Sequence, residues 1–279
     1  MLGCCMGVSR ALDLAEDACR KHAGLRLFTL GALIHNKRVL KALEKRGWTI
    51  IDENEKPKSL DNSIVIIRAH GISPGTQKKL EQSGAVIIDA TCKKVKASQL
   101  KAQELSKKGF EIFIAGEEKH AEVRGICGYA PKSMVVRDKK EAETAANRLF
   151  MQNPNAAAAL IGQTTISKTE FNAIKDEIVR FFPNLSVFNT ICKATTERQE
   201  ALAVLCGEVE AVLIIGDRES ANTRRLLAIA SEKNKPAWLV ESACDIPPEI
   251  FSYRSVGISA GASTPDEFIT EITGCLEKS

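Results

Sequence analysis

The sequence lacks several features that would assign a class directly. No C-x-x-C pair occurs among the nine cysteines, which argues against a zinc ribbon or a thioredoxin-type dithiol. No apolar run reaches the roughly 18 residues that a membrane span needs. Formal net charge is only +4, and no basic block marks a nucleic-acid surface. We therefore expect a protein that binds neither membranes nor nucleic acid.

We also expect no leader, because Met1 is followed almost at once by Gly3 and a pair of cysteines. Nine cysteines without a leader indicate the cytosol, where disulfides are not maintained. With 44% hydrophobic residues over 279 positions, the chain has enough apolar mass for a core. We expect a cytoplasmic protein, and a monomer, because no predicted helix carries an extra apolar face.

Short apolar runs alternate with helical patterns throughout the chain. This alternation predicts an α/β fold with mostly parallel sheets covered by helices. The strands are too many and too evenly spread for one sheet, which favours three small ones. We divide the chain into α/β units at residues 1–91, 92–190 and 191–279.

Three cysteines occupy the same local position, once per unit. Cys92 and Cys192 each follow a predicted strand and open a helix, and Cys5 precedes a long amphipathic helix. The N–H groups at a helix start favour a thiolate. Three thiolates leave one position open on a four-metal cluster or on a tetrahedral metal, so the pattern indicates a shared centre.

Polar residues follow the predicted strands, where parallel α/β sheets bind their ligands. Three of the four histidines lie there, and so do several hydroxyl and amide side chains. Such a pocket suits an anion, phosphate or diphosphate above all. Glu122 is its one carboxylate and, if buried, its natural proton donor. The other members are His35, His70, His120, Thr164, Ser220, Asn222 and Ser263.

Short motifs along the whole chain resemble those of the 4-hydroxy-3-methylbut-2-enyl diphosphate reductases, the last enzymes of the non-mevalonate isoprenoid pathway. The match is specific because the motifs occur in order, although no single motif would be. The matching stretches are GCCMGV (3–8), IHN (34–36), AHG (69–71), DATC (89–92), HAE (120–122), GQTT (162–165), TICKATTERQ (190–199) and GASTPD (261–266).

The resemblance implies a trefoil of three α/β units around a central cavity. It implies a [4Fe–4S] cluster held by Cys5, Cys92 and Cys192, with the fourth iron left for the substrate hydroxyl. Glu122 matches the acid that protonates the leaving hydroxyl, and Thr164 matches its hydrogen-bonded helper. The diphosphate-binding positions correspond to His35, His70, Ser220, Asn222 and Ser263, with His120 nearby.

The resemblance also implies the reaction, a reductive dehydroxylation that yields isopentenyl and dimethylallyl diphosphates and water. The electrons would come from a ferredoxin- or flavodoxin-type donor. The substrate would be a small allylic diphosphate. Its diphosphate anchor supplies binding energy remote from the reacting carbon, which orients the substrate.

Some positions depart from the family pattern. Lys93 and Ala121 replace common prolines, and Lys193 replaces a frequent tyrosine or small residue. Ala221 stands where many members have a second serine, and its backbone N–H remains available to the diphosphate. A strand that usually precedes the first cysteine would have to lie before Met1. None of these departures removes a predicted cluster ligand or the acid.

Three alternatives remain at this point. The chain could be a non-catalytic iron–sulfur sensor on the same scaffold, although a sensor has no need of Glu122, Thr164 and the histidines. It could be a paralogue that reduces another allylic diphosphate. A zinc or structural thiol protein predicts local cysteine pairs, which are absent.

Overall fold

The computed structural model describes residues 2–22, 24–53 and 59–277. Within them, helices alternate with strands that form three separate parallel sheets of three or four strands. The α/β class and the small parallel sheets predicted from the sequence are confirmed. None of the described helices combines the length and the apolar character needed to cross a bilayer.

The first sheet contains four strands in the order β2-β1-β3-β4. Every residue of β3 is buried, as expected for a parallel strand covered on both faces. The strands are β1 Arg26–Leu30, β2 Trp48–Ile51, β3 Ser63–Ile67 and β4 Val86–Asp89.

The second sheet repeats this order as β6-β5-β7-β8. Its central strand β7 is buried throughout, and apolar side chains pack on both of its faces. The strands are β5 Glu111–Ala115, β6 Met134–Val136, β7 Ala158–Gly162 and β8 Ser186–Phe188.

The third sheet has the order β10-β9-β11, which is the same pattern without a fourth strand among the described residues. Its central strand β9 is buried at all five positions. The strands are β9 Ala211–Ile215, β10 Ala237–Val240 and β11 Val256–Ala260.

Ten α-helices accompany these strands in the described part of the chain. Local signals in the sequence fix several of their starts: Ser73 caps one helix with Pro74 at its first position, and Ser167 forms the predicted capping box with Glu170. The helices are α1 Met6–Lys21, α2 Lys37–Lys45, α3 Pro74–Glu81, α4 Lys93–Lys107, α5 Ala121–Tyr129, α6 Lys139–Gln152, α7 Lys168–Phe181, α8 Lys193–Glu208, α9 Ala221–Glu232 and α10 Asp266–Leu276.

Two helix starts differ from the prediction. The sequence Thr264-Pro265 predicts that Thr264 caps the last helix, but α10 starts at Asp266 after Pro265, and the Thr264 hydroxyl donates to the Ile215 carbonyl at 3.1 Å. The pattern IHNKRVLKALEKRG predicts a helix over residues 34–47, but the helix begins only at Lys37, because the Asn36 side chain accepts the Val39 N–H at 3.1 Å and ends the preceding loop.

By its contacts the chain forms two compact units. One contains residues 10–33 and 44–192, and with them the first two sheets. The other contains residues 1–9, 34–43 and 193–279, and with them the third sheet. Each sheet draws its strands from one continuous stretch of chain, while the boundaries proposed after residues 91 and 190 stay a prediction.

Candidate active site

The three candidate cluster cysteines share one local geometry. Cys5 directly precedes α1, Cys92 precedes α4 and Cys192 precedes α8, which confirms the prediction that each opens a helix. All three are half-buried, and none of the nine cysteines, which all lie among the described residues, forms a disulfide. The thiols are therefore at helix starts, where ligand thiolates are favoured.

The backbone N–H of each of these cysteines donates to a carbonyl that lies two residues beyond the end of a strand, respectively β11, β3 and β7. The same anchor thus recurs once per sheet, and it fixes each cysteine at the carboxyl edge of its strands. The bonds join Cys5 to Ala262 at 3.0 Å, Cys92 to Ala69 at 2.9 Å and Cys192 to Thr164 at 2.9 Å.

In the larger unit, a buried carboxyl group contacts one of these anchors. Glu122, on the first turn of α5, is only 1% exposed. Its Oε1 accepts the Thr164 backbone N–H at 2.7 Å, and its Oε2 lies 2.7 Å from the Thr164 hydroxyl. Because the Thr164 carbonyl accepts the Cys192 N–H, the acid and the cysteine are joined through one residue.

The environment of Glu122 also changes its acidity. Burial raises the pKa of Glu122 to about 7, while the two hydrogen bonds from Thr164 act in the opposite direction by stabilising the carboxylate. A carboxyl group with this pKa is protonated in a large fraction of molecules near neutral pH. It can therefore donate a proton where an ordinary glutamate cannot.

Two of the predicted histidines lie beside this acid. His120 caps α5, and its Nδ1 accepts the Glu122 N–H at 3.2 Å. The His70 ring meets the His120 ring edge-on, with 5.3 Å between their centroids. The predicted residues His70, His120, Glu122 and Thr164 are therefore brought together in one unit.

In the other unit, the start of α9 carries three predicted binding residues in succession. Ser220 caps the helix by accepting the Thr223 N–H, and Ala221 and Asn222 occupy its first turn. Asn222 is 3% exposed, and neither its Oδ1 nor its Nδ2 has a hydrogen-bond partner. An unpartnered amide beside free N–H groups at a helix start is a favourable place for an anion.

Two further predicted residues, His35 and Ser263, are joined in the same unit. The Ser263 hydroxyl donates to the His35 carbonyl at 2.6 Å, and Ser263 directly follows the carbonyl that anchors Cys5. The Asn36 side-chain amide adds a second hydrogen bond between these two loops by donating to the Ser263 carbonyl at 3.0 Å. His35 is thus fixed beside the Cys5 anchor.

A comparison with family models finds the LytB protein family over residues 1–277, nearly the whole chain. The chain belongs to the LytB protein family.

Several relatives of this LytB protein share one name. The chain is 44% identical to the 4-hydroxy-3-methylbut-2-enyl diphosphate reductase of Treponema denticola, and the match covers 98% of this chain and 95% of that one. It is 39% identical to the protein of the same name from Caldanaerobacter subterraneus, over 97% of this chain and 92% of that one.

Solved structures of these reductases resemble the LytB protein as well. The enzyme from Plasmodium falciparum matches with a TM-score of 0.89 and 27% identity, over 98% of this chain and 85% of that one. A structure described as the terminal enzyme of the non-mevalonate pathway matches with a TM-score of 0.71 and 34% identity, over 100% of this chain and 97% of that one.

Sequence reasoning missed several residues that organise this LytB site. Asn36 lies in the IHN motif but was not predicted to have a role, although it joins the loops of His35 and Ser263. Asp217 accepts the N–H groups of Lys37 and Glu219 at 2.9 and 2.7 Å, and so shapes the loop before Ser220. Its position directly after the Gly216 turn was the only available signal.

The two lysines that depart from the family pattern are solvent-exposed. Lys93 is the first residue of α4 and is exposed. Lys193 begins α8, and its side chain is 87% exposed with an ion pair to Glu197 at 3.3 Å. Solvent screens charges in such positions, so these departures leave the surroundings of the cysteines intact.

Proposed function

We propose that this chain reduces 4-hydroxy-3-methylbut-2-enyl diphosphate to isopentenyl and dimethylallyl diphosphates, with release of water. Family membership and the names of relatives at up to 44% identity support this activity. The observation that carries the proposal is the buried Glu122, which is bonded to Thr164 and through it to Cys192. A protonated acid and a candidate metal ligand are joined there, as a reductive dehydroxylation requires.

Cys5, Cys92 and Cys192 would hold a [4Fe–4S] cluster, since cysteine thiolates are the usual ligands of such clusters. The residues present fit this group. The three thiols stand at helix starts, and the buried guanidinium of Arg198 near Cys5 lacks a carboxylate partner within the described residues. When bound, the cluster would supply electrons and a Lewis-acidic iron for the carbon–oxygen bond that breaks.

Glu122 would protonate the leaving hydroxyl, which departs as water. When Glu122 is protonated at Oε2, it donates to the Thr164 hydroxyl, whose own proton is then free to point elsewhere. Thr164 would thus transmit the proton and hold the acid in place. His120 orients the acid by accepting the Glu122 N–H.

The diphosphate would be bound by the unpartnered amide of Asn222, by groups at the start of α9 and by further polar side chains. Asn222 offers its buried amide, and Ser220 and Ala221 offer a hydroxyl and a first-turn N–H. His35, His70, His120 and Ser263 complete the proposed set. Unsatisfied buried amides are costly in folded proteins, which supports a ligand for Asn222.

We also propose that the protein acts in the cytoplasm as a monomer and receives electrons from a ferredoxin- or flavodoxin-type donor. The reaction consumes two electrons and two protons for each hydroxyl released as water, so a one-electron donor must act twice.

An anaerobic preparation tests the function. Iron and sulfide are counted per chain, and oxidation of a dithionite-reduced viologen is followed after adding 4-hydroxy-3-methylbut-2-enyl diphosphate. About four irons per chain and viologen oxidation on addition are expected. A cluster without turnover would contradict the reductase and favour a sensor, or a paralogue if another allylic diphosphate is reduced. Absence of any cluster would overturn the ligand assignment.

A further inference from the structure

Arg198, on the second turn of α8, is buried to 2% exposure although it carries a charge. Its Nη1 donates to the Ala260 carbonyl at 2.8 Å, and its Nη2 donates to the Gly3 carbonyl at 2.9 Å. One guanidinium therefore bridges the end of β11 and the segment that leads to Cys5. All of these residues belong to the smaller unit.

The other two sheets make the equivalent connection without a charge. In the first sheet, the residue two positions before the cysteine, Ala90, donates its N–H to the Ile67 carbonyl at 3.1 Å. In the second, the hydroxyl of Thr190, again two positions before the cysteine, donates to the Gly162 carbonyl. Both acceptors are the last residues of the strand beside the cysteine segment.

Gly3 occupies the corresponding position two residues before Cys5, and Ala260 is the last residue of β11. Here the described residues provide no fourth strand, and Arg198 supplies the link instead. Gly3 adopts a φ of +81°, and a Cβ there would lie 2.0 Å from Asp266 Oδ1. The segment is thus bent in a way that glycine allows, with its carbonyl held by the guanidinium.

The charge of Arg198 has an unusual setting. No carboxylate in the described part of the chain is paired with it, and its buried Nε has no hydrogen-bond partner. Burial lowers the pKa of Arg198 from its ordinary value, and the nearby thiols of Cys5 and Cys4 oppose this shift. A buried cation without a compensating negative charge is costly, so a negatively charged group bound near Arg198 would stabilise it.

We propose that Arg198 is a positioning residue for the iron–sulfur centre. Its guanidinium holds the Cys5 segment against the third sheet, and its buried positive charge favours the uptake of an electron by the centre. The inference rests on the proposed function. Taking one electron from the external ferredoxin- or flavodoxin-type donor adds one negative charge to the centre and changes no bond. A cation fixed in a poorly screened position lowers the free energy of the reduced form.

The test compares Arg198→Gln with Arg198→Lys in the anaerobically purified enzyme. Gln keeps a hydrogen-bond donor without the charge, whereas Lys keeps the charge with poorer bridging geometry. We expect Arg198→Gln to lower the equilibrium constant for cluster reduction at least tenfold, about 59 mV for one electron. Arg198→Lys should stay closer to the wild-type potential, although both variants unfold at lower temperature.

Lys193→Gln is the matched control, because it removes a positive charge directly beside Cys192 from a side chain that is 87% exposed. Its potential should equal that of the wild type, since solvent screens the charge. Potentials are read from redox titrations followed by electron paramagnetic resonance, with iron content and thermal unfolding measured alongside.

Equal potentials in wild type and Arg198→Gln, with only the unfolding temperature lowered, would overturn the electrostatic role. If Arg198→Gln binds no cluster, Arg198→Lys decides: retention of cluster and potential supports the proposal, and a shifted potential despite the retained charge contradicts it. A wild-type protein without a cluster would instead refute the proposed function itself.

Discussion

Glu122 owes its character to two opposed effects at one carboxyl group. Burial disfavours the charged form, whereas the N–H and hydroxyl of Thr164 favour it. Burial prevails, and the pKa of Glu122 rises to about 7 rather than staying at 4.5. The site thereby holds a proton that is available at neutral pH.

Glu122→Gln should retain the local structure and lose turnover. The Gln oxygen can still accept the Thr164 N–H, and its amide can donate to the Thr164 hydroxyl, so both bonds persist. Without the proton donor, kcat should fall by about 10²- to 10⁴-fold with cluster content unchanged. Viologen-linked turnover measures the loss, and the exposed neighbour variant Glu118→Gln should keep wild-type kcat.

The pH dependence of turnover and of stability tests the protonation of Glu122 independently. Wild-type turnover should decline as pH rises through about 7, because Glu122 loses its proton there. Since the folded state binds this proton more tightly than the unfolded state, the free energy of unfolding should also fall between about pH 4.5 and 7, and then level off. Glu122→Gln should lack this component of the stability profile; identical profiles would contradict the assignment.

At the residue scale the structure confirms one predicted contact, that between Glu122 and Thr164, while the roles of the two residues stay predictions. Glu122 and Thr164 were predicted as an acid and its helper, and they form two hydrogen bonds. Arg198 was not singled out, because its acceptors at Gly3 and Ala260 lie 195 and 62 residues away. A single sequence carries no local signal for such long-range pairing.

At the scale of elements, one arrangement is used three times with different side chains. The first strand of each sheet ends in a glycine turn, and five residues after the strand comes His35, His120 or Ser220. The strand beside it leads to the carbonyl that anchors a cysteine. The strand order therefore fixes where the candidate site residues lie, while the loop sequences determine whether those residues are carboxylates, histidines or serines.

Two serine caps allow stability and binding to be separated. Ser220 caps α9 and Ser167 caps α7, each by accepting a backbone N–H of the first turn. Ser220→Ala and Ser167→Ala should each lower the free energy of unfolding by about 1 kcal/mol. Only Ser220→Ala should also raise KM, since its hydroxyl belongs to the proposed diphosphate site.

Thermal or denaturant unfolding gives the first quantity, and turnover at varied substrate concentration gives the second. An equal KM in both serine variants would remove Ser220 from the site. A raised KM in Ser167→Ala would mean that loss of stability alone disturbs binding.

The sequence predicts which stretches form helices and strands, but it predicts less well the residue at which a helix begins. The Ser167 and Ser73 caps are visible in the sequence because Glu170 and Pro74 accompany them. Thr264 looked equally suitable, but its hydroxyl donates to the Ile215 carbonyl of a neighbouring strand. Tertiary hydrogen bonds of this kind override a local capping signal.

At the scale of the whole molecule, charge bears on electron delivery. The chain carries a formal net charge of +4, which favours encounter with an anionic protein donor. Reduction by an acidic flavodoxin- or ferredoxin-type protein should slow several-fold between about 50 and 300 mM salt, because salt screens long-range attraction. Stopped-flow reduction rates measure this effect.

A cationic viologen is the matched comparison, since its approach to a positively charged protein gains nothing from low salt. The rate at which reduced viologen reduces the enzyme should not fall as the salt concentration rises. If both donors slow equally, salt acts on the enzyme rather than on the encounter, and the charge argument fails.

The hydrogen bonds from Arg198 to Gly3 and Ala260 also determine when the Cys5 segment can reach its final position during synthesis. Synthesis separates the Cys5 segment from the residue that fixes it, because Gly3, two residues before Cys5, is held by a guanidinium 195 residues later. At typical rates of synthesis, about 10 to 40 s separate the two. Until α8 has emerged and docked, Cys5 remains an unfixed thiol on a nascent chain. A cluster bound by the proposed ligand Cys5 would therefore be completed only after Arg198 and the rest of α8 have been translated, and oxidants have their best access to Cys5 in that interval.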